Sequence, residues 1–172
     1  APIIVRQLGD NGFVKRQDGW HARPSDTAKE KFVRNLKKLC ERRISIDLKA
    51  RIGKINAVVR GWVNYFRMGM MKMFLRQVSV KLQMKLRIII WKQWKTTTKR
   101  RWALRKLELT EYQAWKLAGF SNHYMAVAQT SWLIKAISRE RLAHKGLVLP
   151  DDYYEKGSEG MRVRTAQCRT AC

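Results

Sequence analysis

The residues best suited to chemistry in this sequence are cations interleaved with aromatic rings. In residues 91–95 two tryptophans alternate with lysines, and further lysines and arginines follow closely. Lysine and arginine neutralise phosphates, arginine can bind them through two hydrogen bonds, and an exposed tryptophan can stack on a nucleobase. Core packing at the end of a helix is the alternative role of Trp91 and Trp94. The side chains predicted to bind nucleic acid are Lys81, Lys85, Lys92, Gln93, Lys95, Lys99, Arg100, Arg101, Arg105 and Lys106.

Residue types that would support bond-making chemistry are sparse. Asp151 and Asp152 form one adjacent carboxylate pair, but a two-metal site needs further carboxylates that converge on it. Cys168 and Cys172 have ligand-like spacing, but zinc would need two more ligands. Cys40 has no histidine near it in sequence and lies on an apolar helix stripe, which favours a core position. We therefore expect no catalytic residue, no metal and no cofactor.

The charge of the chain is strongly one-sided. Its 172 residues include 37 Lys+Arg against 13 Asp+Glu, for a net charge of +24. Residues 48–107 contain 17 basic residues and no acidic one, so this stretch cannot neutralise itself with internal ion pairs. A single-sign block of this length predicts a surface that binds a polyanion. Nucleic acid is the first candidate, and an anionic membrane surface is the second.

The composition excludes several classes of protein. The chain is 45% hydrophobic with seven tryptophans, so it can bury a core and is not disordered throughout. Its longest aliphatic and aromatic run, residues 88–91, is far shorter than the ~20 residues of a membrane span. The first residues lack the pattern of a secretory signal, and three cysteines make no disulfide framework. We expect a bacterial cytoplasmic or organellar matrix protein that is not secreted and has no membrane partner.

The elements that must position these cations are predicted to be mainly α-helical. Apolar residues recur at three- and four-residue steps over about 26–41, over a second helix that follows Ser45, and over a third that begins near Lys72. Ser25 or Thr27 is the predicted N-cap of the first helix, and Ser45 that of the second. Residues 25–95 therefore predict an antiparallel three-helix bundle.

A short β-hairpin is predicted before the bundle. Residues 13–23 contain two apolar stretches around the turn dipeptide Asp18-Gly19. The hairpin belongs to a junction segment, residues 1–24, which precedes the bundle.

A basic linker and a small helical unit are predicted after the bundle. Threonines and cations at 96–101 interrupt the apolar period, which is typical of a linker. In the unit at 102–155, Trp102 belongs to an apolar patch, Thr110 and Gln113 have capping-box spacing, and Gly119 suits a left-handed helix end. Irregular backbone is predicted at 120–130, a last helix at about 131–145 that ends at Gly146, a turn at Pro150 and a disordered tail at 156–172.

Three strings in this sequence resemble the maturase-specific region of group II intron-encoded proteins, which is the thumb or X domain of those reverse transcriptases. They are Arg-Pro-Ser at 23–25, Gly-Trp-Val-Asn-Tyr-Phe at 61–66 and Trp-Lys-Gln-Trp-Lys at 91–95. Residues 142–148 and 152–154 are similar to the usual ending of that region. The resemblance covers roughly residues 20–155, and the two longer strings, about thirty residues apart, are specific to it.

The resemblance implies a function in RNA splicing. Proteins of this family bind their own intron RNA and help it fold into its splicing-competent form, while the RNA carries out the transesterification. Full-length members also have an upstream finger-palm region with a Tyr-x-Asp-Asp motif that copies RNA into DNA. That motif is absent from this sequence, so the chain resembles the C-terminal part of such a protein, and we expect it to have no enzymatic activity. Group II intron RNA is the expected partner.

Three alternatives remain open at this point. The chain could serve as the thumb and template clamp of an RNA-directed DNA polymerase that needs its palm. It could bind target DNA for intron mobility, because mobile members of the family also contact DNA. A membrane-surface helix is the weakest alternative, since each apolar stripe has a partner stripe to bury it. If the chain binds nucleic acid, the candidates for recognising individual nucleotides are Asn64, Gln93 and an exposed tryptophan.

Overall fold

The computed structural model describes residues 5–8, 11–16, 19–120 and 123–157, and it confirms the mainly α fold. The described residues form two compact units, of which the first comprises those within 5–38, 54–79 and 148–157, and the second those within 39–53 and 80–147. None of the described helices is long and apolar enough to cross a membrane. The elements are β1 (Val5–Leu8), β2 (Asn11–Arg16), β3 (Gly19–Pro24), α1 (Asp26–Leu39), α2 (Leu48–Tyr65), α3 (Lys72–Gln93), α4 (Thr97–Lys106), α5 (Glu111–Ala118), α6 (Tyr124–Gln129), α7 (Ser131–Ala136), α8 (Arg139–His144) and α9 (150–157).

Three short antiparallel strands precede the helices. The strand order is β1-β2-β3, and in the second pair Arg16 lies opposite Gly19 and Asn11 opposite Pro24. The pair β2–β3 lies where the hairpin is expected, whereas β1 adds a strand that the sequence analysis did not anticipate. The predicted turn residue Asp18 lies outside the described residues.

The first two helices begin at polar caps, and one of these differs from the prediction. The hydroxyl of Ser25 accepts a hydrogen bond from the backbone N–H of Ala28 at 3.2 Å, so Ser25 rather than Thr27 caps α1. The predicted cap at Ser45 is wrong, because α2 begins three residues later. There a carboxylate oxygen of Asp47 accepts from the backbone N–H of Lys49 at 3.0 Å. Asp47 is therefore the residue that stabilises the start of α2.

An aromatic cluster fills the core of the first unit. The Phe32 ring of α1 stacks on the Trp62 ring of α2 with centroids 4.4 Å apart. Phe66 and Phe74 lie 4.7 and 5.7 Å from Trp62. Burial of this apolar surface and the contacts between the rings stabilise the unit. The buried aliphatic residues around the cluster include Leu36, Ile55, Val59, Val63, Leu75, Val78 and Leu149.

Helix α9 belongs to the first unit and corrects two predictions. Pro150 begins a helix instead of a turn, which suits a residue that has no N–H to donate. The buried hydroxyl of Ser79 donates to a carboxylate oxygen of Asp151 at 2.6 Å. The hydroxyls of Tyr153 and Tyr154 extend to the Asn64 side chain and the Gly69 carbonyl at 3.1 and 2.9 Å. Consequently α9 does not belong to the small helical unit predicted for 102–155, and the predicted tail beyond residue 157 lies outside the described residues.

In the second unit, the predicted linker is a helix. Thr96 caps α4, since its hydroxyl accepts from the backbone N–H of Lys99 at 3.2 Å. The interruption of the apolar period at 96–101 is real, but it marks the solvent-facing first turns of a helix whose buried residues are Arg100 and Leu104. The buried side chain in the first part of this helix is an arginine and not an apolar residue. The apolar period that predicts a helix is therefore missing from the sequence at 96–101.

Of the predictions for the helices after α4, one cap is confirmed and several boundaries are corrected. The predicted capping box of Thr110 and Gln113 is confirmed at the start of α5. Gly119 has φ −67 and is not left-handed, whereas Glu108, between α4 and α5, has φ 68, and Gly146 has φ 89. The irregular backbone predicted at 120–130 is wrong for α6, and the single last helix divides into α7 and α8 at Ile137 and Ser138.

Candidate nucleic-acid interface

Three cations of the acid-free stretch 48–107 are buried, and each binds backbone carbonyls. Arg51 donates to the carbonyls of Leu39, Glu41 and Ile44. The Nε of Arg87 donates to the Ile137 carbonyl at 3.0 Å, and burial lowers the pKa of its guanidinium. Backbone carbonyls need no carboxylate, and they accept from these guanidinium groups where acids are lacking. Among the described residues the buried Nε of Arg51 has no hydrogen-bond partner.

Arg100 is the third buried cation, and it corrects the predicted site. Its Nε donates to the Trp94 carbonyl at 2.9 Å, and its Nη1 to the Phe120 carbonyl at 3.2 Å. The guanidinium also lies 4.8 Å from the centroid of the Trp91 ring. With only 6% of its surface exposed, Arg100 stabilises the second unit and is not available to a phosphate.

Most of the other predicted cations lie at the surface of the second unit. Lys81, Lys85 and Lys92 follow one face of α3 at steps of four and seven residues. Lys85 is half-buried, and the ammonium of Lys92 donates to the Arg42 carbonyl at 3.0 Å while its side chain stays exposed. The exposed predicted residues are Lys81, Lys92, Gln93, Lys95, Lys99, Arg101, Arg105 and Lys106.

Glu111 reduces the positive charge of α4. One carboxylate oxygen of Glu111 accepts from Arg101, and the other lies 2.9 Å from the Nε of Arg105. The hydrogen bond from Arg101 is the main reason why the pKa of Glu111 lies below its ordinary value. Both arginines remain about half exposed or more, so each can still bind an anion. Residues 80–147 contain 15 basic residues and the acids Glu108, Glu111 and Glu140.

The structure settles the roles of the tryptophans near the end of α3. Trp91 is 1% exposed and Trp94 is half-buried, so core packing is the role of Trp91. Trp102, predicted to lie in an apolar patch, is instead 64% exposed, and the ammonium of Lys106 lies 4.6 Å from its centroid. Of Trp91, Trp94 and Trp102, it is Trp102 on α4 that is exposed to solvent.

Two further exposed aromatic residues were missed by the sequence analysis. Tyr112 and Trp115 of α5 are 63% and 62% exposed. The ammonium of Lys116 lies 5.6 Å from the Tyr112 ring and 5.8 Å from the Trp132 ring. The signal that could have revealed Tyr112 is the spacing of four residues between an aromatic residue and a lysine, found at Trp102 and Lys106 and again at Tyr112 and Lys116. Trp115 has no lysine at that spacing.

Other candidate residues have structural roles. Asn64 accepts from Tyr153 in the first unit, and Asp151 accepts from the buried Ser79. Cys40 is buried, and desolvation raises the pKa of its thiol to about 11, which keeps it protonated near neutral pH. Cys168 and Cys172 lie outside the described residues, among which no group of three acidic, histidine or cysteine side chains could hold a metal ion.

The second unit thus defines a class: a highly basic helical module with a surface of cations and exposed aromatic rings. Residues 29–108 match the family model described as group II intron, maturase-specific domain. The resemblance to the maturase-specific region is therefore confirmed over those residues. The search of curated proteins finds no match to the chain.

Proposed function

We propose that this chain is an RNA-binding maturase module that binds group II intron RNA and assists its folding for RNA-catalysed splicing. The observation that carries the proposal is the acid-free stretch 48–107, which lies entirely within the maturase-specific match at 29–108. Only Arg51, Arg87 and Arg100 of its cations are buried, and the others are exposed or half-buried. The proposed activity is binding, and the RNA supplies the reacting groups.

The mechanism is electrostatic. Folding of a large RNA brings phosphates together, and their repulsion opposes compaction. Fixed ammonium and guanidinium groups replace the mobile counterions of the RNA, and the release of these counterions adds a favourable entropy to binding. The fixed charges also reduce the repulsion between phosphates, so RNA helices can approach each other. In the second unit, Lys81, Lys95 and Lys99 are exposed, and the ion pairs found among the residues that the structure describes do not include them.

The test is a filter-binding titration at several salt concentrations. The RNA transcribed around the gene is compared with an unrelated structured RNA of equal length. If 6–10 phosphates are contacted, affinity falls by about 10³–10⁵ between 50 and 200 mM salt, and the transcribed RNA binds more tightly at every concentration. Equal affinity for both RNAs would contradict intron recognition. Stronger binding to duplex DNA, or to a primer-template duplex, would support the DNA-binding or the template-clamp alternative instead.

A pair of matched variants tests where the RNA binds. Replacing both Lys95 and Lys99 with Ala removes two exposed charges from the acid-free stretch. Replacing both Lys37 and Lys38 removes two exposed charges from α1, outside that stretch. We expect the first variant to weaken binding and to lower the salt slope by about one for each lost phosphate contact, and the second to change neither. Equal effects of the two variants would show that only total charge matters.

A further inference from the structure

The helices α4 and α5 form a surface that the phosphate-binding proposal leaves unexplained. Trp102, Tyr112 and Trp115 each expose more than 60% of their surface, although large aromatic side chains usually contribute to a core. The two helices lie against each other, and exposed apolar groups gathered on neighbouring elements commonly mark a binding site. We propose that this aromatic surface, defined as Trp102, Tyr112 and Trp115, stacks on unpaired nucleobases of the bound RNA. The inference rests on the proposed function and adds the class of RNA segment that is recognised.

The two helices hold the rings on a rigid support. Leu104 of α4 and Leu117 of α5 are fully buried, and the capping box at Thr110 fixes the first turn of α5. Glu111 binds both Arg101 and Arg105, so it links the outward sides of the two helices. Rings on such a support lose little conformational entropy when a base stacks on them.

The charges beside the rings identify the occupant. The ammonium of Lys106 lies 4.6 Å from the Trp102 centroid, and that of Lys116 lies 5.6 Å from the Tyr112 centroid. Glu111 is the single acidic residue of α4 and α5, and the basic residues of these helices outnumber it. This excess of positive charge favours a polyanion over a partner surface without net charge. A strand of RNA presents a phosphate next to each base, so it matches rings with cations beside them.

Unpaired segments fit this surface better than duplexes. Bases within a duplex are stacked on their neighbours, and a side chain cannot stack on them without opening the helix. Bases in loops, bulges and ends are free to stack on aromatic side chains. The cations of α3 and α4 would hold the RNA backbone by charge alone, while the aromatic surface would select single-stranded segments.

The experiment compares two RNA ligands of equal length and charge, a single-stranded oligonucleotide of mixed sequence and a hairpin that is paired outside a short loop whose bases stack on one another. The test variant replaces Trp102 and Trp115 with Ala, and its matched control replaces Tyr65, an exposed aromatic residue of the first unit (68% exposed). We expect the test variant to bind the single strand about 5- to 150-fold more weakly for each stacked base lost, with its salt slope unchanged. Hairpin binding and the Tyr65→Ala variant should keep wild-type affinity.

A conservative variant and a crosslinking measurement test the stacking directly. Replacing the same tryptophans with Phe retains a ring, so single-strand affinity should return close to the wild-type value. In the wild-type protein, RNA with 5-iodouracil at unpaired positions should crosslink to the aromatic surface, as mapped by mass spectrometry. If the wild type binds RNA but the Ala variant keeps its affinity and no crosslink reaches these rings, the stacking inference is overturned and the proposed function stands. If the wild type binds neither ligand, both fail.

Discussion

The substitution Arg100→Ala separates a structural cation from a binding cation. Arg100 makes two hydrogen bonds to carbonyls and a cation–π contact with Trp91 at 4.8 Å, all in a buried position. Hydrogen bonds from a charged donor contribute about 1.5–3 kcal/mol each, and a desolvated cation–π contact about 2 kcal/mol. Part of this is offset because the guanidinium no longer has to be desolvated. We expect the free energy of unfolding to fall by roughly 3–5 kcal/mol.

Thermal unfolding followed by circular dichroism measures this loss. For a chain of this size, ~1 kcal/mol corresponds to about 2–4 °C, so the melting temperature should fall by roughly 6–20 °C. Lys99→Ala is the matched control, because its side chain is exposed one position earlier in the same helix and its loss should change stability by less than ~0.5 kcal/mol. Arg100→Lys keeps the charge but cannot make both hydrogen bonds, so it should also be destabilised.

The opposite pattern would refute this reasoning. If Arg100→Ala melts like Lys99→Ala and instead loses RNA affinity, the guanidinium is accessible and the buried contacts contribute little. If Arg100→Lys restores wild-type stability in full, then the charge and not the two directed hydrogen bonds stabilises the second unit.

Three other outcomes follow from the packing. Trp62→Ala should lower the free energy of unfolding by about 3 kcal/mol, because it removes the ring stacked on Phe32 at 4.4 Å, and a wild-type denaturant midpoint would contradict this. Ser79→Ala should cost about 1–3 kcal/mol through the lost hydrogen bond to Asp151, whereas Ser45→Ala, at an exposed position, should have little effect; equal melting temperatures would argue against the role of α9. The thiol of Cys40, with its pKa raised to about 11, should resist iodoacetamide at pH 8 in the native protein and react in denaturant, and rapid native labelling by peptide mapping would show that it is accessible.

The helices that local signals specify were predictable from the sequence. The apolar stripes of α1 and α3 have the period of a helix, and the structure places α1 at Asp26–Leu39 and α3 at Lys72–Gln93. The capping box at Thr110 needs only residues three apart, so it too could be recognised. Charge and residue type also indicated which side chains could bind phosphate, and their role in binding RNA stays a prediction.

Predictions that depended on burial were less successful. Arg100 and Lys99 are neighbours with similar charge, yet one binds carbonyls in the interior and the other faces solvent. Trp91 and Trp102 differ in the same way, with 1% and 64% of their surface exposed. Sequence spacing could not tell the buried member of each pair from the exposed one. Arg100, for example, has its hydrogen-bond partners only when the chain folds so that the carbonyls of Trp94 and Phe120 lie beside it.

What the sequence by itself determined is therefore the helical content, the excess of positive charge and the absence of acids between 48 and 107, all of which depend on residue type and short-range spacing. The tertiary structure alone decided which cations donate hydrogen bonds to backbone carbonyls in the interior. It also decided that Pro150 begins a helix that a hydrogen bond from Ser79 stabilises, and that the exposed rings of the second unit include those on α4 and α5. The physical reason is that burial and long-range hydrogen bonds belong to pairs of segments far apart in the chain, and no local pattern contains both members of such a pair.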